Sequence, residues 1–266
     1  MVMRYWRVAC LFTFVAFAGG VAAQVQSNDP SSEIEALSSR AVELSIDGKF
    51  AEAIEPAKQA IEIARQIDPK HPALGRLLHN LAGLYMSLGR TEEAELITKH
   101  EVKVAEAALG PEHPDTALAL DALAGIYTAQ ARYAEAEELG KRVLAVYERV
   151  HGPENLLLSV PLNTLARVYA AQDRYPEAEA LYKRDLAIIE KVAGPESPEA
   201  RVSLGSIAAL YERQGKYAAA EQLLRRVVSL AERDLGPDHP QFAVLSTNLA
   251  ALYNSQGKYA AAEPLL

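Results

Sequence analysis

The chain holds a single cysteine, Cys10, among its 266 residues, so a disulfide framework or a cysteine-rich metal cluster cannot be built from it. Glycine (15) and proline (14) are sparse while half of the residues are hydrophobic, which excludes collagen-like and disordered chains. A basic excess is also lacking. With a formal net charge of −8 and no basic patch, the chain is a poor match for a phosphate backbone, and no nucleic-acid partner is expected. It has no HExxH, no glycine-rich phosphate loop and no G-x-S-x-G elbow, so it is read as a non-enzyme with no catalytic residues and no cofactor. The six histidines do not cluster. His71, His113 and His239 share one place in a repeat, a full repeat or more apart and too distant to bring ligands within ~2.1 Å of one ion. They are read as helix caps, with no metal site.

What is present begins with an address. Met1–Arg7 carries Arg4 and Arg7, Val8–Phe17 is an apolar run, and Val21-Ala22-Ala23 supplies small residues where a signal peptidase reads. Residues 1–23 are therefore expected to be a signal peptide, and the protein to be exported, periplasmic or secreted, with no stable membrane insertion after cleavage. Retention as an anchor is the alternative, although the run falls short of the ~20 residues of a spanning helix. Cleavage leaves 25 Lys and Arg against 35 Asp and Glu, and no cysteine. Stability must then come from packing, and a thiol nucleophile is excluded. Residues 24–32 (QVQSNDPSS) are polar and read as a linker.

The rest of the chain repeats. Tyr85, Tyr127, Tyr169, Tyr211 and Tyr253 stand 42 residues apart, as do Tyr133, Tyr175, Tyr217 and Tyr259, and the Gly-Pro pairs at 110, 152, 194 and 236. Ala94, Ala136, Ala178, Ala220 and Ala262 keep the same beat. Within a unit, Leu78, Leu81, Ala82 and Tyr85 fall at i, i+3, i+4 and i+7, one stripe of a 3.6-residue helix. A second amphipathic stretch follows a short break such as Gln214-Gly215-Lys216, where glycine supplies a left-handed turn residue. The longer break, Gly-Pro-x-His-Pro at 110–114 and 236–240, stops one helix and restarts the next with proline at its first position. Short connections make neighbours antiparallel, so each unit is a helical hairpin. A lone hairpin cannot bury both faces. The expected fold is all-α, a right-handed superhelical solenoid of antiparallel hairpins over 33–266, with a concave inner surface. Hairpins are placed at 33–68, 72–109, 114–151, 156–193 and 198–235, with a sixth from 240 that stops at Leu266 within its second helix. Both tyrosine rows are read as packing residues.

The pattern Leu-x-x-Leu-Ala-x-x-Tyr, Gly-(Arg/Lys)-Tyr-x-x-Ala-Glu and Leu-Gly-Pro-(Asp/Glu)-His-Pro resembles tetratricopeptide repeats, and its 42-residue period is similar to that of the kinesin-light-chain subtype. The resemblance implies a scaffold that holds a protein or peptide partner along a groove lined mainly by the first helix of each hairpin. The family's groove asparagine matches Asn80 and Asn248, whereas Ala122, Thr164 and Ser206 stand at that place in the middle units. Ala131 and Asp173 replace the short-turn glycine, and Asn155-Leu156 replaces His-Pro. Pro161 then requires a late or bent helix start.

The first-helix face opposite the core stripe carries Arg76, His79, Asn80, Met86, Asp121, Asn163, Thr164, Arg167, Arg213, Asn248 and Asn254. Asparagine can donate to and accept from an extended backbone, and arginine can pair with a carboxylate. Read singly, each is more readily an ordinary solvated helix residue; it is as a set that they suggest a binding face. The other glutamates, such as Glu138 beside Lys141 and Arg142, read as a solvated face. Two further readings stay open. Ending inside a hairpin, the chain reads as the N-terminal recognition arm of a larger enzyme or signalling protein, or as a protein that self-associates through the open C-terminal hairpin.

Overall fold

The computed structural model describes residues 29–265, apart from Lys70 and Pro72; the expected signal segment and residues 24–28 lie outside the described residues. Among the described residues every regular element is helical: α1 (Pro30–Ile46), α2 (Phe50–Ile67), α3 (Leu74–Ser87), α4 (Thr91–Leu109), α5 (Pro114–Ala129), α6 (Tyr133–His151), α7 (Ser159–Ala171), α8 (Tyr175–Val192), α9 (Pro198–Arg213), α10 (Tyr217–Leu235), α11 (Pro240–Ser255) and α12 (Tyr259–Ala262), with 3-10 turns at Leu156–Leu158 and Glu263–Leu265. This is the all-α hairpin repeat that the periodicity demands. α1 opens at Pro30, inside the stretch read as linker, because Asp29 caps it: the Asp29 carboxylate accepts from the Ser31 N–H at 3.1 Å, and proline takes the first position.

The long turns are closed by side chains. His113 and His239 accept the N–H groups of Asp115 and Gln241 through Nδ1 at 3.2 and 3.1 Å, and His71 accepts that of Ala73 at 3.2 Å. Each ring thus supplies the acceptor that serine or asparagine supplies elsewhere, with its proton on Nε2. Asn155 does the same for Leu157 at 2.9 Å. Beyond it a 3-10 turn delays α7 to Ser159, which places Pro161 in the first helical turn, where its missing N–H breaks no helical bond.

At the short turns the third residue past the helix donates back five residues, as in Arg174 N–H to Tyr169 C=O at 2.9 Å and Lys216 N–H to Tyr211 C=O at 2.8 Å. This closure demands a left-handed residue. Gly215 supplies it at φ 70°, and Ala131 and Asp173 are forced into the same conformation at φ 59° and 58°.

The chain forms two compact units, one ending at Gln130 and the other running from Ala131. In the first, Ala53, Ala57, Ile61 and Ala64 of α2 pack with Leu74, Leu77, Leu78, Leu81 and Leu84 of α3 in one cluster. In the second, Leu165, Ala166 and Tyr169 of α7 meet Tyr182 of α8 and Ile207 and Leu210 of α9. A further cluster joins Ala208 of α9, Leu224 of α10 and Leu249, Ala250 and Tyr253 of α11. Each large aliphatic side chain buried this way contributes about 1.5–3 kcal/mol. Ala94, Ala136, Ala178 and Ala220 have no exposed surface, so helices touch there and a larger side chain would overpack the contact.

One sequence reading is corrected. The first tyrosine row is largely buried, but the second is not: Tyr133 and Tyr175 are half-buried, and Tyr217 and Tyr259 are 41% and 70% exposed. These residues open the second helix of each hairpin, at the rim of the short turn, where Tyr175 still packs against the core cluster of its unit.

Candidate partner-binding face

Most recurrent polar residues prove to join one hairpin to the next. The glutamate after each invariant-spaced alanine is the centre of one such ladder. Glu95 accepts from Gln130 Nε2 at 2.8 Å within the first unit. In the second, Glu137 accepts from Arg174 Nη1 at 2.7 Å and Gln172 Nε2 at 3.3 Å. Glu179 accepts the Tyr211 hydroxyl at 2.9 Å, and Glu221 accepts Lys258 Nζ at 2.9 Å and the Tyr253 hydroxyl at 3.2 Å. Hydrogen bonds from Lys141, Lys183 and Lys258 hold the Glu137, Glu179 and Glu221 carboxyls below the usual carboxylate range against the opposing effect of burial. A second ladder runs along the long turns. Arg184 bonds Glu148 at 2.6 Å and Arg226 bonds the Pro195 carbonyl at 2.9 Å, while Lys191 pairs with Glu154 and Arg233 with Glu196. Both ladders were legible as 42-residue spacings of Glu, Gln, Lys and Arg. The sequence reading took such residues for a solvated face.

Against that background the first-helix face stands apart. In the first unit Arg76 is exposed and Asn80 half-buried, and Met86 packs against the core cluster. His79 turns to its own hairpin, with Nδ1 3.2 Å from Glu101 Oε1, and Asp121 is buried. In the second unit Asn163 Nδ2 donates to the Ser159 carbonyl at 2.8 Å and to Asp185 Oδ2 at 2.7 Å. Thr164 is buried and Arg167 half-buried. Arg213, Asn248 and Asn254 are exposed; Arg213 lies 3.7 Å from Asp173 and 6.0 Å from the Tyr175 ring centroid.

The structure therefore separates two kinds of residue within one sequence stripe. His79 and Asn163 are set by second-helix carboxylates. Arg76, Arg213, Asn248 and Asn254 face outward. Asp185 is 1% exposed, and the Asn163 amide nitrogen donates both to it and to the Ser159 carbonyl, within its own hairpin. Nearby, burial pushes the Tyr182 hydroxyl up to about 12, opposed by the Arg167 and Arg213 charges. Burial also lifts the Glu212 carboxyl.

The sequence reading sought polar groove residues and missed an apolar row. Val160, Val202 and Val244 take the place of Arg76 in α7, α9 and α11 and are 40%, 52% and 60% exposed. Their 42-residue spacing was the available signal. Among the described residues, no group of three or more His, Cys, Asp or Glu could hold a metal ion, and no helix is long and apolar enough to cross a membrane.

Comparison with known proteins agrees with this architecture. The family model described as tetratricopeptide repeat matches residues 32–100, 99–149, 116–191, 157–233 and 199–266. Among solved structures, BtubC (BKLC) from P. vanneervenii is 21% identical, with 82% of this chain and 88% of that chain covered at a TM-score of 0.64. A putative kinesin light chain with nearly identical TPR-like repeats from Podosopora anserina is 26% identical, with 79% and 99% covered at a TM-score of 0.62. A Rap protein complexed with competence and sporulation factor shares the fold at 16% identity, with 88% and 72% covered and a TM-score of 0.63. No curated protein sequence matches significantly.

Proposed function

Since the chain belongs to the tetratricopeptide-repeat family, we propose that it is a non-catalytic interaction scaffold whose first-helix faces hold a peptide or a segment of a partner protein. The observation that carries this is the division of labour within the repeat. The alanines and the first tyrosine row build the core, and the glutamate and arginine ladders join hairpins. Val202, Val244, Asn248 and Asn254 recur at first-helix places yet remain exposed. A row of apolar and amide side chains left to solvent on a rigid framework is the composition of a recognition surface. The Rap structure, solved with competence and sporulation factor, supports an interaction role for this fold. The N-terminal charge pattern and apolar run of residues 1–23 support export to the periplasm or beyond as the setting for that role.

The test is crosslinking and affinity capture of the full chain from its native envelope fraction, comparing Asn248→Asp and Arg213→Glu with Ser229→Glu on the exposed surface of α10. The partner should be lost with the first two and kept with the third. Equal capture by all three would refute the assignment of the binding face.

A further inference from the structure

We propose that Arg225 receives an acidic side chain, glutamate or aspartate, of a partner protein, at a site on the second helix of the fifth hairpin that is separate from the first-helix face above. α10 places Ala218, Glu221, Gln222 and Arg225 at i, i+3, i+4 and i+7, and together they line an open cavity of about 370 Å³. The buried residues of α10, among them Ala220, Leu224, Val227 and Ala231, lie on another side of the helix.

The repeat shows what is unusual at this place. Lysine holds it in α4, α6 and α8, where Lys99, Lys141 and Lys183 each pair with the glutamate one turn earlier, at 2.6, 2.7 and 2.7 Å. Arg225 divides its contacts instead. Its Nε donates to the Tyr253 hydroxyl at 2.9 Å and lies 3.2 Å from Glu221 Oε1, and the guanidinium carbon is 5.9 Å from the Tyr253 ring centroid. Among the described residues, Arg225 Nη1 and Nη2 have no hydrogen-bond partner. An anchored guanidinium therefore keeps its outer edge, with two parallel N–H groups, open beside the cavity.

Glu221 is already engaged. Its Oε1 accepts the Tyr253 hydroxyl at 3.2 Å and its Oε2 accepts Lys258 Nζ at 2.9 Å. The acid that balances this place in other hairpins is also missing. Glu93, Glu135 and Glu177 pair with Arg90, Arg132 and Arg174, whereas alanine stands at 219 and 261, three residues after Lys216 and Lys258. Lys216 reaches only Glu179, at 3.9 Å, which Lys183 already holds. Between Tyr217 and Arg226, α10 has no carboxylate but Glu221, and Arg226 turns to Glu190 and the Pro195 carbonyl. Arg225 and Lys258 against Glu221 leave one positive charge, which a single carboxylate matches. A phosphate dianion would bring a second negative charge beside Glu221. Lined from one helix face only, the cavity would bury little of a small free acid; a side chain carried by a partner brings further contacts of its own.

The experiment follows the Arg225 side-chain and α10 backbone N–H signals of the nitrogen-15 labelled full chain by NMR. The titrant is an acetylated, amidated peptide, Ala-Leu-Glu-Glu-Leu-Ala. Parallel titrations use the same peptide with both glutamates replaced by glutamine, free glutamate, and inorganic phosphate. The glutamate peptide should shift the Arg225 signals and bind about tenfold or more tightly than each of the other three. Arg225→Lys keeps the charge and matches the residue of the other hairpins, so it should fold with an unchanged circular dichroism spectrum. Losing the fork should nevertheless weaken the peptide about tenfold. Gln222→Glu sets an acid beside the fork, at the place Glu138 holds in α6, and should weaken the peptide to the same degree. Unmoved Arg225 signals, equal binding of the glutamine peptide, or full binding by Arg225→Lys or Gln222→Glu overturns the proposal. So does a preference for phosphate, or free glutamate binding as tightly as the peptide.

Discussion

Replacing Glu179 tests whether the glutamate ladder holds hairpins together. The carboxylate accepts the Tyr211 hydroxyl of the next first helix at 2.9 Å and Lys183 of its own helix at 2.7 Å, with Lys216 at 3.9 Å. A hydrogen bond to a charged group is worth about 1.5–3 kcal/mol. The exposed i,i+4 lysine pair adds about 0.3–0.5 kcal/mol, and the longer contact to exposed Lys216 little. Glu179→Ala should therefore cost about 2 kcal/mol, most of it from the half-buried Tyr211 hydroxyl left without its acceptor. Glu179→Gln keeps an acceptor for that hydroxyl and loses only charge, so its cost should stay below about 1 kcal/mol. In a chain of this size 2 kcal/mol corresponds to a fall in Tm of about 4–8 °C. The assay is urea and thermal unfolding followed by far-UV circular dichroism, with the slope checked for loss of cooperativity between hairpins. A cycle with Tyr211→Phe completes it and should return a coupling of at least about 1 kcal/mol. Equal destabilisation by Ala and Gln, or additivity with Tyr211→Phe, would show that the ladder does not join the hairpins.

Acid should weaken the fold through the same ladder. Because the Glu137, Glu179 and Glu221 carboxyls are held below their ordinary value when folded, their stabilisation is complete above that value and is lost as pH falls through the folded one. The urea midpoint should be level between pH 7 and about 5.5 and fall below about 4.5, near the ordinary carboxylate range. The raised Glu212 carboxyl acts in the opposite sense, and a Glu137→Gln, Glu179→Gln, Glu221→Gln variant should flatten the fall. An acid limb unchanged by that triple substitution would remove the ladder as its cause. At the short turn, Ala131 sits at φ 59°, a conformation costing a residue with Cβ about 1–2 kcal/mol. Ala131→Gly should stabilise by about 0.5–1 kcal/mol after the added freedom of the unfolded chain is subtracted, read as a raised urea midpoint. A lowered midpoint would refute the strain.

Much of the architecture is local and so was legible before folding is considered. Leu78, Leu81, Ala82 and Tyr85 define a helix stripe by spacing alone, and Gly-Pro-x-His-Pro stops and restarts the chain through backbone geometry and a side chain two residues from its partner. Pro161 forced a late α7 for the same reason. The candidate face was legible only as a stripe. Spacing placed His79 and Asn163 beside Arg213 and Asn248 without showing that Glu101 and Asp185, each 22 residues away, turn the first two toward their own hairpins. A search for polar ligands passed over Val160, Val202 and Val244, because an apolar residue is assigned to the core until its burial is known.

By itself, then, the sequence determined a train of helical hairpins, the breaks between them, and which face of each first helix turns inward. These follow from dihedral preferences and a 3.6-residue period, forces that act within a few residues. Tertiary structure decided which members of a stripe are consumed and which remain available. Tyr175 and Tyr259 hold the same repeat place, yet one is half-buried and the other 70% exposed. Glu179 looks like any helix glutamate until Tyr211, 32 residues on, donates to it. Exposure and pairing belong to the neighbour across the interface, and that neighbour is set by packing between hairpins.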